Sequence, residues 1–202
     1  MHKAVLFDLD GVLVDACDWH YEALNRALKE VANYTISTED HEKTYNGIPT
    51  LKKLSILENL GIVRRSDFQK ISNLKQQYTA EVINDFCTES ISKIEMLKML
   101  KDKGYKLACV TNSIRKTTEL MLMKTGIRKY FDVVITNEDT ANNKPHPEQY
   151  IKALVLLNTV PENAIIVEDS PKGLEAARST GSRVLQVRNA TEVTQELFLG
   201  KL

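Results

Sequence analysis

The run from Lys3 to Asp15, KAVLFDLDGVLVD, constrains the fold more than any other stretch. Its apolar start reads as a buried strand, and it ends in two carboxylates, Asp8 and Asp10, followed by Gly11. Charge at the end of a buried strand is costly unless a cation or a reaction compensates the lost hydration. The two-residue spacing sets both carboxylates on one side of an extended chain, and the glycine lets the backbone turn sharply. Taken alone, the Asp-x-Asp pair reads equally well as a solvated turn or a calcium loop.

Two later segments repeat the pattern of a short hydrophobic run that stops in polar side chains. Tyr105 to Val110 leads into Thr111, Asn112 and Ser113, and Ala164 to Val167 leads into Glu168, Asp169 and Ser170. A third cluster, Lys144-Pro145-His146-Pro147, follows the apolar stretch Val133 to Ile135. In an open parallel sheet, strand ends of this kind converge on one edge, where ligands bind. Each cluster also has a plainer reading. Thr111 to Ser113 would serve as a helix cap, Lys144 as a surface lysine before a proline-fixed turn, and His146 as a turn residue.

After Asp15 the periodicity turns helical. Leu24, Ala27, Leu28 and Val31 recur at helical spacing, as do Leu51, Leu54, Leu57 and Leu60, and then Phe68, Ile71, Leu74 and Tyr78. Breaks are expected near Asn33 to Ser37, at Gly47 to Pro49 and at Gly61. A helical block of about seventy residues is too long for a crossover connection, so it reads as a separate cap. From Ile91 the chain alternates strand and helix, with strands expected at Tyr105 to Val110, Val133 to Ile135, Ala164 to Val167 and Arg183 to Val187.

The 202 residues suffice for one sizeable core and a smaller satellite. Lysine plus arginine and aspartate plus glutamate both number 27, so no net charge draws the chain to nucleic acid or anionic lipid. A small-molecule partner fits better. Cys17, Cys87 and Cys109 show no metal-ligand spacing and are odd in number, which suits a reducing compartment. With neither a signal-like start nor a membrane-length apolar run, a soluble cytoplasmic protein is expected, as a monomer or weak dimer.

Asp8-Leu9-Asp10-Gly11, Thr111-Asn112, Lys144-Pro145 and Glu168-Asp169-Ser170 with Gly173 and Ala176-Ala177 together resemble the four motifs of the haloacid dehalogenase superfamily. The spacing is similar to its branch of phosphatases and β-phosphoglucomutase-like enzymes. The resemblance implies an α/β fold, a Rossmann-like doubly wound parallel sheet over 1–14 and 90–202, with an α-helical cap inserted over 15–89. It implies a Mg2+-dependent phosphatase that hydrolyses a small phosphorylated metabolite, of sugar phosphate, polyol phosphate or phosphoglycolate type, through an aspartyl-phosphate.

Residue by residue, the resemblance implies Asp8 as nucleophile and Asp10 as general acid and base. Thr111, Asn112 and Lys144 would bind the phosphate. Asp8, the main-chain carbonyl of Asp10, Glu168 and Asp169 would hold Mg2+, with Glu168 direct or through water. His20, Tyr45, Asn46 and Thr50, with Trp19, are the cap candidates for substrate specificity, a neutral polar set. His20 reads equally as a polar surface residue.

Dehalogenases and phosphonate-cleaving relatives lack an acid at the position of Asp10, so its presence argues against both chemistries. A phosphomutase is the nearer rival, but Asn46 and Thr50 stand where its cap would carry basic groups. A non-catalytic phosphate-binding module would require a lost catalytic group, and all are present. Ser92-Lys93 stands where relatives have Pro-Gly, and Ala16 where they have Ser or Thr. Both departures bear on loop geometry more than on chemistry.

Overall fold

The computed structural model describes residues 3–45 and 48–200. Five strands, β1 (Ala4–Phe7), β2 (Lys106–Val110), β3 (Val133–Ile135), β4 (Ala164–Glu168) and β5 (Arg183–Gln186), form one parallel sheet in the order β3-β2-β1-β4-β5. Reversal of strand order on either side of β1 marks a doubly wound sheet, whose switch point lies at the carboxyl end of β1. Because helices cover both faces, the central strands are apolar throughout rather than alternating. Ala4, Val5, Leu6 and Phe7 are all fully buried, and Phe7 packs edge-on against Phe131 and Phe198.

The chain divides into two compact units at Ala16/Cys17 and again at Phe86/Cys87. The smaller holds α1 (Cys17–Ala32), the single turn α2 (Thr38–Asp40) running into a π-turn at His41–Tyr45, α3 (Thr50–Asn59) and α4 (Phe68–Phe86). Its apolar cluster joins Leu24, Ala27 and Leu28 of α1 to Leu54 and Leu57 of α3 and to Phe68 and Ile71 of α4. The expected stripe on α3 is only half realised, since Leu51 and Leu60 are exposed. Spacing of three residues drifts by about 60° per step around a helix, so the two ends of that series leave the buried face.

The larger unit adds α5 (Ile91–Asp102), α6 (Arg115–Lys124), α7 (Glu148–Leu156) and α8 (Pro171–Arg178). Ser170 caps α8 by accepting from Gly173 N, with Pro171 in its first turn. Lys93 is buried, and its ammonium donates to the carbonyls of Ala190 and Val193, tying α5 to the segment after β5. That contact gives the lysine of Ser92-Lys93 a structural role.

Candidate active site

Register builds the site. Phe7 pairs with Cys109 on one side and Val167 on the other, so Asp8 follows beside Val110 and Glu168. Asp8 N donates to Val167 O at 3.1 Å, which extends the ladder one step past the strand. Beyond it the chain folds into a tight turn. Gly11 N donates to Val14 O, while Leu13 N and Val14 N both donate to Leu9 O. Leu9, Val12, Leu13 and Val14 are buried, so the turn is anchored by its own apolar side chains.

Lys144, from the loop before α7, reaches under the strand ends. Its Nζ donates to Asp8 Oδ1 at 2.5 Å, to Glu168 Oε1 at 2.7 Å and to Val110 O at 2.8 Å. Those three acceptors use all three ammonium protons. Two adjacent carboxylates hold the amine well above its ordinary range despite burial, so it remains a cation. Burial pushes the Asp8 carboxyl well up; Lys144 opposes the shift, and Glu168 and Asp10 add to it.

Glu168 is fully buried and surrounded by donors. Besides Lys144, Tyr150 Oη donates to its Oε1 at 2.6 Å, and Oε2 accepts from Asp169 N, Ser170 N and Ser170 Oγ. A Cβ at position 173 would lie 1.9 Å from Glu168 Oε1. Gly173 therefore gives room to that carboxylate, a more specific task than close packing of helix on sheet.

Asp169 is held differently. Its Oδ1 is buried with no hydrogen-bond partner among the described residues, and burial, reinforced by Glu168, raises its pKa to about 6. A Cβ on Gly11 would lie 2.2 Å from Asp169 Oδ2, and Gly11 has φ +86°. The turn and the carboxylate are thus packed on each other through a position only glycine fills.

Asp8, Glu168 and Asp169 each offer an oxygen within 4.8 Å of the others. Four carboxylates, counting Asp10, stand against the single ammonium of Lys144, and an orphaned oxygen belongs to one of them. Such an all-oxygen, electron-rich set fits a hard divalent cation. Asp10 is outside that cluster through its side chain, which turns instead to Thr111 and Ser113.

Ser113 Oγ donates to Asp10 Oδ2 at 2.8 Å and Thr111 Oγ1 donates to the same oxygen at 3.4 Å. Ser113 N in turn donates to Thr111 Oγ1. The stretch Thr111 to Ser113 is not the helix cap that its composition suggests. The cap position of α6 is Ile114, and Arg115 N finds its acceptor in Glu138. Asn112 faces the lysine loop, with Nδ2 donating to Lys144 O and Oδ1 accepting from Lys144 N.

Composition and periodicity pass over Tyr150 and Gln149, and mark Ser113 only as part of the polar stop after β2. Gln149 Nε2 is shared among Thr111 O, Thr136 O and Asn143 Oδ1, stitching three loops together. The available signal was weak: Gln149 and Tyr150 lie on the α7 face that also buries Ala153 and Leu154.

In the smaller unit the expected specificity residues scatter. Tyr45 packs in that unit's own apolar cluster, so it is a core residue there. Asn46 lies outside the described residues, and Thr50 opens α3 half-buried. His20 Nδ1 lies 3.2 Å from Lys75 Nζ. Lys75 and Lys53 are both buried, and Lys53 adds to the burial that lowers the His41 pKa. The smaller unit thus buries two lysines, Lys53 and Lys75, which helical periodicity hides among apolar neighbours.

Comparison with known proteins places this geometry in context. The family model described as haloacid dehalogenase-like hydrolase matches residues 5–187. The chain is 34% identical over 182 residues to the phosphorylated carbohydrates phosphatase of Thermotoga maritima, covering 89% of this chain and 82% of that protein. It is 29% identical over 187 residues to pyrophosphatase PpaX of Bacillus cereus (92% and 82%). Among solved structures it is similar to β-phosphoglucomutase from Clostridium difficile, with a TM-score of 0.81, 25% identity and coverage of 100% and 97%.

Proposed function

We propose, from the premise that this chain belongs to the haloacid dehalogenase-like hydrolase family, that it is a Mg2+-dependent phosphatase of small phosphorylated metabolites. The observation that carries the reading is the placement of Asp8: a buried carboxylate at a strand end, fixed by Lys144, with Asp10 turned to Thr111 and Ser113. Phosphoryl transfer is chiefly a matter of positioning and charge stabilisation, and this arrangement supplies both.

The Asp8 carboxylate attacks phosphorus, and the ester oxygen leaves with a proton from Asp10. Asp10 then takes a proton from the water that attacks the aspartyl-phosphate, which releases phosphate and restores Asp8. Thr111 orients the transferring group, and Lys144 holds the Asp8 carboxylate that attacks it and offsets charge there. Mg2+ would be held by Asp8 and Asp169, with the Asp10 main-chain carbonyl, and would neutralise phosphate and carboxylates together. Glu168, saturated with donors, stands behind them. The names of the relatives support a phosphorylated carbohydrate or a pyrophosphate-like compound as substrate, and sugar phosphate, polyol phosphate and phosphoglycolate types remain the class to screen.

The test is a panel of such metabolites with Mg2+, read by release of inorganic phosphate, beside the Asp8→Asn variant. Turnover in the wild type and none in Asp8→Asn is expected. Activity that persists in the variant would remove Asp8 as nucleophile.

A phosphomutase is the second reading, favoured by the likeness to β-phosphoglucomutase from Clostridium difficile at 25% identity over the whole chain. One mixture separates the two: sugar monophosphate, Mg2+ and a trace of the matching bisphosphate. Accumulating phosphate without isomer interconversion supports the phosphatase, and rapid isomerisation with negligible phosphate supports the mutase.

A further inference from the structure

We infer that Tyr150 is a positioning residue for the nucleophile, acting on Asp8 through Glu168 and Lys144 without touching substrate. The inference rests on the phosphatase reading and adds to it a residue outside the four motifs. Tyr150 is the largest fully buried side chain among the described residues. Its hydroxyl donates to Glu168 Oε1 at 2.6 Å, the same oxygen that receives Lys144 Nζ at 2.7 Å. Its ring lies 4.7 Å from that ammonium, within cation–π range.

A phenylalanine would fill the same space. Burying a hydroxyl costs free energy unless it is bonded, so this one is explained by what it bonds. Lys144 has three protons and three acceptors, and Glu168 competes with Asp8 for the same cation. By sharing Glu168 Oε1, Tyr150 weakens the pull of Glu168 on the lysine and leaves the short Lys144 to Asp8 contact intact. Without the hydroxyl, Oε1 has the lysine as its single remaining donor. The ammonium is then drawn toward Glu168, and the Asp8 carboxylate loses its fixed aim at phosphorus. Misaim of a nucleophile lowers the rate of the chemical step and leaves binding of the ground state largely alone.

The experiment compares wild type with Tyr150→Phe on the best phosphate ester from the panel, reading kcat and KM separately and the urea unfolding midpoint alongside. The expected result is a kcat lower by roughly ten- to a hundredfold, the range for losing a hydrogen bond to a charged group, with KM within about twofold. Tyr150→Leu, which also removes the ring from above the ammonium, should lose at least as much kcat. Unchanged kcat in Tyr150→Phe, a KM that rises in step with the loss, or a loss matched by the fraction unfolded would each overturn the inference while leaving the phosphatase reading in place. A wild type with no Mg2+-dependent turnover on the panel would overturn that reading, and the inference with it.

Discussion

Ser113 Oγ donates to Asp10 Oδ2 at 2.8 Å across 103 residues of sequence, and Thr111 donates to the same oxygen at the longer distance of 3.4 Å. The better-placed hydroxyl therefore belongs to the residue that lies beyond the recognisable threonine. It holds one oxygen of the proposed acid in place.

Ser113→Ala should lower kcat for an alkyl phosphate by roughly tenfold, the weight of one hydrogen bond to a charged group. Fold stability should change little, because Thr111 still donates to Asp10. Wild-type kcat in this variant, in steady-state phosphate release, would show that Asp10 needs no such support.

Asp10→Ala should impair an alkyl phosphate far more than an aryl phosphate with a good leaving group, since a low-pKa phenolate departs with little protonation. The comparison belongs in single-turnover formation of the aspartyl-phosphate, because the proposed mechanism has Asp10 activate the water of the second step as well. Equal losses on both substrates would take the acid role away from it.

Asp169 titrates in the native protein near pH 6, against an ordinary value of 3.8. A raised carboxyl pKa means that the native state holds the proton more tightly than the unfolded chain does. In metal-free protein the resulting penalty is absent below about pH 4, grows between 4 and 6 and is complete above. Asp169→Asn escapes it. The variant should therefore gain stability over wild type as pH rises through that window, by at most about 3 kcal/mol at neutrality before solvent screening is discounted. Added Mg2+ should stabilise the wild type and close the gap. Urea titrations at pH 4, 5, 6 and 7, with chelator and with Mg2+, measure it. A gap that is flat with pH, or equal stabilisation of both proteins by Mg2+, would contradict the assignment.

Gly11→Ala meets two obstacles, a left-handed φ and an Asp169 oxygen 2.2 Å from the new methyl. The backbone term alone costs roughly 1–2 kcal/mol. Displacement of Asp169 should raise the Mg2+ concentration for half-maximal activity by about tenfold or more. A wild-type Mg2+ activation curve in this variant would mean that Asp169 moves aside freely.

The sequence made the strands and the polar ends of β1, β2 and β4 legible because a buried parallel strand is a continuous apolar run, and its polar stop is abrupt. Asp8, Asp10, Thr111, Lys144, Glu168 and Asp169 all stand at such stops or at a proline-marked turn. Gln149 and Tyr150 were not legible as site residues, and Ser113 was legible only as part of a polar stop, because their importance lies in partners brought near only by the sheet. Lys53 and Lys75 escaped for another reason: a lysine within a helical stripe looks like a solvated interruption until burial is known. Leu51 and Leu60 show the converse, apolar residues at near-helical spacing that the helix turns to solvent.

The central position of β1 has a consequence for how the protein is made. Ala4 pairs with Lys106 on one side and Ala164 on the other, so the earliest of the sheet's strands in chain order waits more than a hundred residues for one neighbour and about a hundred and sixty for the second. The helical unit between them is contiguous and carries its own apolar cluster, so its parts are all synthesised before either partner of β1. Until β2 emerges, an apolar strand with two open edges must be kept from pairing elsewhere, and one of those edges stays open until β4 follows. The proposed nucleophile thus follows the strand that waits longest for its partners in this sheet, and chaperone dependence during synthesis should concentrate on the interval before residue 168 clears the exit tunnel.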